Sequence, residues 1–149
     1  MTTQPNDAAI SFIAAHPHAA MITVGGDGRP RAVKIEAAMV DGVLESASHA
    51  DKLRTRRLRR DPRCSLYFAD EQHAWLSLDV GVTIIDGEAA ARALVRFFRV
   101  RDERPTGPLD YHSDRSHHLG LSGSELEEVL AAEEAVLFRF TVERQYGNL

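Results

Sequence analysis

The dipeptide Asp41-Gly42 stands between two runs of strand-forming residues, Arg31 to Val40 and Val43 to Ala47, and it narrows the fold more than any other feature of the chain. Both central residues of a type I′ turn need positive φ, which Gly adopts freely and Asp tolerates, so the two runs read as one tight antiparallel hairpin. Further strands are expected at Ala19 to Val24, Cys64 to Ala69, Ala74 to Ile85 and Ala135 to Val142. Helical spacing of Ala9, Ile10, Phe12 and Ile13 predicts a first helix, capped by Asn6 or Asp7 and ending near His16-Pro17. Asp86 is placed to cap a second helix from Glu88 to about Arg101, and Ser124 to Ala132 reads as a short acidic helix. Between them, Pro105-Thr106-Gly107-Pro108 breaks the chain, and residues 105 to 123, rich in His, Ser, Gly and Asp, read as irregular. Six strands without regular strand–helix alternation exclude a doubly wound sheet. They predict an α+β domain built on an antiparallel, barrel-like sheet with flanking helices. The 149 residues show no linker or internal repeat and read as a single domain.

Charge is distributed unevenly. The formal net charge is −4, yet seven of the 18 Lys and Arg residues fall between Lys52 and Arg63. This stretch reads as a helix, with Ser48 and Asp51 at the spacing of a capping box and Pro62 closing it. One meaning is a solvated face whose Arg stems lie over apolar surface. A nucleic-acid surface is disfavoured, because the chain offers no second basic patch and no aromatic stacking motif. Phosphate binding is the sharper alternative. Backbone N–H groups at a helix start favour an anion, and Lys52 and Arg54 are close enough to that start to donate to the same oxygens. Arg59, Arg60 and Arg63 lie too far along and read as surface or partner contacts.

Other residues carry weaker signals. Lys34 and Glu36 interrupt the second strand on one face, opposite Val33 and Ile35; they read as an exposed ion pair or as contacts to a bound anion or ring carbonyl. Trp75, the lone Trp, is a buried structural residue or a flat wall beside a cofactor ring. Cys64, the lone Cys, alternates within a strand and reads as an inert core thiol. The seven His residues match no metal-ligand spacing, so no metal is expected. Walker A, G-x-S-x-G and G-x-G-x-x-G motifs are absent, and Gly25-Gly26-Asp27-Gly28 is turn chemistry. No apolar run can span a bilayer and the first ten residues lack signal-peptide character, so no membrane association and a cytoplasmic location are expected.

Taken in order, the Gly-rich turn, Gly28-Arg29-Pro30-Arg31, the long hairpin, the basic helix, Leu58-Arg59-Arg60-Asp61-Pro62-Arg63, Trp75 with a Gly81-containing strand, and the ending Phe138 to Gly147 resemble the pyridoxamine 5′-phosphate oxidase-like split β-barrel superfamily. Within it, the chain is most similar to the flavin/deazaflavin oxidoreductases that bind coenzyme F420. The resemblance implies a homodimer with its cofactor at the subunit interface. By position it places Lys52 and Arg54 on the phosphate, and Arg56 and Arg57 on neighbouring polar contacts. It puts Val33, Lys34 and Ile35 on the ring-contacting strand, Ser48 near the end of the third strand, and Trp75 beside the ring. Three positions depart from the family pattern: Arg54 often has Lys, Arg57 commonly has Asn or Gln, and Lys34 often has a neutral polar residue. The implied activity is F420H2-dependent hydride transfer to a small conjugated substrate, and no side chain stands out as a catalytic acid. An FMN-dependent oxidoreductase and a non-catalytic F420 or flavin carrier are the alternatives.

Overall fold

A computed structural model describes residues 4–149. It contains α1 (Asp7–Ala15), β1 (His18–Val24), β2 (Pro30–Val40), β3 (Val43–His49), α2 (Leu53–Arg60), β4 (Arg63–Ala69), β5 (Trp75–Ile85), α3 (Gly87–Arg101), β6 (Leu109–His112), β7 (His117–Leu121), α4 (Gly123–Ala132) and β8 (Ala135–Gly147). Six strands close into an antiparallel barrel in the order β1-β2-β3-β8-β5-β4, with β4 returning to β1. The turn that joins β2 to β3 holds Asp41 at φ 48° and Gly42 at φ 80°, and Val40 pairs with Val43 across it. This is the positive-φ pair that a two-residue hairpin requires.

Asn6 caps α1 by accepting from the backbone N–H of Ala9 at 2.9 Å. The helix then sends Ala9 and Ile13 into the barrel core beside Met21, Leu66, Phe68, Leu78 and Phe138. A second core lies outside the barrel. There α3, α4 and β6 bury Leu94, Phe97, Leu109, Leu126 and Leu130 against Val40, Ala135 and Leu137. The start of β8 explains how two cores share one wall. Val136 and Phe138 face the barrel while Ala135 and Leu137 face the helices, so successive residues are buried on opposite sides. A strand covered on both faces reads as the continuous apolar run Ala135-Val136-Leu137-Phe138.

Four expectations change. Residues 105–123 are not all irregular: β6 and β7 pair as a separate two-stranded sheet with a register shift between Leu109 and Tyr111. The last strand runs five residues past Val142, because β5 continues to pair with it as far as Gly147. Asp86 stands at the N-cap of α3 but gives no capping hydrogen bond, and its carboxylate instead accepts from Arg59 at 3.1 Å. The fourth helix takes a full capping box, Ser122 with Glu125, one turn-defining residue earlier than the composition suggested.

Candidate anion-binding site

Ser48 does not cap the basic helix. It lies inside β3, paired with Val136 of β8, and His49 pairs with Ala135, so the ladder runs through the residues that a cap would have used. The helix α2 begins at Leu53 with Lys52 at the N-cap and no side-chain cap. What fixes its start is Thr55, fully buried, whose hydroxyl donates to the His49 carbonyl at 2.7 Å. Thr55 and Leu58, three residues apart, form the buried stripe of α2 and leave the Arg residues outward.

The end of β3 and the start of α2 form one wall of a cavity of about 350 Å³; α3 and the β6–β7 hairpin form the other walls. Ser48, Lys52 and Arg54 line it together with Phe98, Arg101 and Tyr111. Ser48 is 8% exposed, and its Oγ is the one buried side-chain polar atom without a hydrogen-bond partner among the described residues. A buried hydroxyl left unpaired costs roughly 1–3 kcal/mol, so its presence in a cavity wall is a sign of a missing polar ligand.

Cations at this cavity are not equivalent. Lys52 Nζ contacts Asp114 Oδ2 from the β6–β7 turn. Arg54 is half-buried and has no ion-pair partner among the described residues. Burial holds its guanidinium pKa below the ordinary value, with the Asp114 charge acting in the opposite direction. Arg101 is already occupied: Asp102 accepts from it at 2.8 Å, Glu36 lies 4.0 Å away, and its guanidinium covers the Phe98 ring. Beside them, Glu133 accepts from Ser113 at 2.9 Å and from Tyr111 at 3.1 Å, with Ser116 on its other oxygen and His49 Nε2 at 3.0 Å. Burial alone would raise Glu133; the hydrogen bonds from Ser116, Ser113, His49 and Tyr111 outweigh it and hold the carboxyl below its usual value. Burial and the Glu133 charge push the Tyr111 phenol up to about 12. Arg115 completes the arrangement by donating to the Glu133 carbonyl at 2.9 Å and pairing with Asp51.

The remaining residues singled out by sequence are placed elsewhere. Arg56 is exposed and Arg57 half-buried on α2, and neither lines the cavity. Val33 and Ile35 pack into the barrel core, which leaves Lys34 as the exposed side chain of that trio. Lys34 forms no ion pair with Glu36 among the described residues; Glu36 instead lies 3.8 Å from His18 and 4.0 Å from Arg101. Trp75 is half-buried on the outer barrel face, stacked on Tyr67 at 6.0 Å and edge-on to Tyr146 at 6.1 Å. It sits far from Ser48: β8 pairs with Ser48 at Val136 but meets the Trp75 end of β5 only at Gly147. Eleven residues of strand separate the two positions, a path of roughly 35 Å along the coiled strand at its usual rise. Sequence reasoning missed Asp114, Glu133, Arg101 and Tyr111, whose shared location exists only after α3, β6 and α4 pack on the barrel.

Other chemistries find little support here. Cys64 is buried, and burial together with the Asp79 charge pushes its thiol up to about 12, away from nucleophilic use. No group of three metal-ligating side chains occurs among the described residues. No described helix is long and apolar enough to cross a membrane.

A closed six-stranded antiparallel barrel with flanking helices is the architecture of the split-barrel class. The sequence profile of pyridoxamine 5′-phosphate oxidase matches residues 6–118, and the chain belongs to that family. No curated protein sequence matches the chain. Among solved structures it is similar to a conserved hypothetical protein of Mycobacterium tuberculosis, with 21% identity, TM-score 0.71, and coverage of 98% of this chain and 85% of that one. It is also similar to an F420 reductase, at 15% identity and TM-score 0.63, covering 95% and 98% of the two chains. A third relative, a candidate pyridoxamine 5′-phosphate oxidase from Listeria innocua, has 15% identity and TM-score 0.63, with 95% of each chain covered. At these identities the structures establish the shared fold.

Proposed function

We propose that this protein is an F420H2-dependent reductase acting on a small conjugated substrate in the cytoplasm, as a homodimer with cofactor sites between subunits. The observation that carries the reading is the cavity in which Lys52, Arg54 and the unpartnered hydroxyl of Ser48 meet. A phosphate-bearing cofactor suits these groups: two cationic donors and one neutral donor on one wall, with Phe98 and Tyr111 as apolar and aromatic surface opposite. In the proposed complex Lys52, Arg54 and Ser48 hold the phosphate, and Arg56 and Arg57 line its approach. Val33, Lys34 and Ile35 present strand backbone to the ring, and Trp75 flanks it. The cofactor, when bound, supplies hydride chemistry; the chain supplies orientation and electrostatics. The match to the pyridoxamine 5′-phosphate oxidase family supports a flavin-type cofactor, and likeness to an F420 reductase over nearly the full length of both chains supports the deazaflavin.

Titration of the purified protein with oxidised F420 and, separately, FMN, followed by cofactor fluorescence, tests the reading. F420 is expected to bind in the low-micromolar range or tighter, and Lys52→Ala or Arg54→Ala to weaken it about tenfold or more, the equivalent of one lost charge-assisted contact. If neither cofactor binds below about 100 μM, the proposal is lost. If FMN alone binds, the chemistry is that of a flavin enzyme.

A further inference from the structure

The anion cavity holds an excess of positive charge that its own residues do not neutralise. Lys52 and Arg54 contribute two cations, and one carboxylate, Asp114, faces both: it contacts Lys52 directly and acts on Arg54 through space. Neighbouring cations already have carboxylate partners. Arg101 is taken by Asp102. Arg115 is taken by Asp51. In the ligand-free chain the cluster of Lys52, Arg54 and Asp114 therefore carries one uncompensated positive charge.

We propose that Asp114 is a specificity residue of this cavity, an internal counter-anion that must be displaced from Lys52 and that admits ligand heads carrying two or more negative charges in preference to singly charged ones. The proposal rests on the phosphate-site reading above. A singly charged head exchanges one anion for another on Lys52 and gains little. A doubly charged head replaces Asp114 and also satisfies Arg54, leaving the cavity neutral. FMN meets the condition through its phosphomonoester, whereas the phosphodiester of F420 carries one charge and meets it only together with a neighbouring carboxylate of the same cofactor.

Displacement demands little of the fold. Asp114 is exposed, at the tip of the β6–β7 turn, whereas the turn around it is held in place. Ser113 and Ser116 bond to Glu133, the Ser113 N–H donates to the Ser116 carbonyl at 2.9 Å, and Arg115 grips the Glu133 carbonyl. A side-chain rotation is enough to release Lys52. Arg115 Nε, 3.9 Å from Asp114 Oδ1, lies beside it to receive the carboxylate.

Calorimetric titration with phenyl phosphate and phenyl sulfate tests this at about pH 8, where the phosphate ester is doubly charged and the sulfate ester singly charged. The intact protein is expected to favour phenyl phosphate by about tenfold or more. Asp114→Asn is expected to tighten phenyl sulfate by about tenfold and to shrink the preference below about threefold. Asp114→Ala should repeat the result, which excludes a contribution of the Asn amide, and thermal midpoints close to that of the unaltered protein establish that both variants fold. An unchanged preference in both variants, or weaker binding of both esters, overturns the role of Asp114 while the anion site stands. Failure of phenyl phosphate to bind either the intact protein or the variants overturns the proposal and the phosphate site together.

Discussion

Gly147 is the residue whose replacement the backbone tolerates least. At φ 156° it brings the end of β8 so close to β5 that an added Cβ would lie 2.4 Å from the Trp75 carbonyl oxygen and 3.1 Å from the Leu76 Cα. Both neighbours are main chain, so no side-chain rotation can relieve the contact. The same crossing is tied by Asn148, which accepts from the Trp75 N–H at 2.8 Å and donates its own N–H to the Trp75 carbonyl at 3.2 Å. Gly147→Ala is expected to separate these strands and lower stability by roughly 2 kcal/mol, a typical penalty where Cβ meets fixed backbone. The near-ultraviolet circular dichroism of Trp75 should change with it. A midpoint and a Trp75 signal equal to those of the unaltered protein would contradict this.

Among the elements, the β6–β7 hairpin depends most on one residue outside it. Its strands have four and five residues, with Leu109 and Tyr111 of β6 buried and no residue of β7 fully buried, and Glu133 after α4 gathers Tyr111, Ser113, Ser116 and His49 onto one carboxylate. With its side chain 10% exposed and its pKa held below the ordinary value, Glu133 stabilises the fold in its ionised form. The sign follows: this stabilisation is complete above the unfolded pKa near 4.5 and is lost as pH falls through the lower folded value. Glu133→Gln is expected to cost about 2–3 kcal/mol at neutral pH, the range for removing one charge from a buried hydrogen-bonded pair. Urea midpoints of the two proteins should converge as pH falls through the lowered folded value, and a constant gap across the range would count against the argument. This hairpin also marks where sequence stopped being legible. The Asp41-Gly42 turn, the Asn6 cap and the barrel strands were readable because each is encoded within a few residues. Ser48 was misassigned as a cap because the β8 partner that keeps it in a strand lies far along the chain, at Val136. Lys52 and Arg54 stood out by local charge density, whereas Asp114 and Arg101 enter the cavity from later elements and Glu133 braces its wall through Tyr111 and Ser113. No short window of sequence contains that arrangement.

Taken whole, one chain cannot assemble every residue assigned to the proposed site. The cavity with Lys52 and Arg54 is at the Ile85 end of β5, where β8 begins, and Trp75 opens the other end of that strand. A closed barrel is stiff, so no hinge within the chain brings those ends together; in the proposed complex Trp75 would reach a cofactor held at Lys52 only from a second copy. The outer face around it suits such contact, since Tyr67 and Tyr146, exposed by 41% and 40%, flank Trp75 with edge and face contacts. In a two-fold dimer each subunit gives its cations to one site and its Trp75 to the other, an arrangement that closes without leaving an open surface. Sedimentation equilibrium at micromolar concentration is therefore expected to give about 33 kDa, twice the chain mass of 16.5 kDa. Mixed dimers sharpen the test. When a chain bearing Lys52→Ala and Arg54→Ala is co-expressed with one bearing Trp75→Ala, each heterodimer regains one complete site and one doubly impaired site. Weak binding by the Trp75→Ala homodimer together with F420 capacity near one tight site per heterodimer supports a shared site. Tight binding by the Trp75→Ala homodimer, or a mass of a single chain, would show that Trp75 acts apart from the cavity.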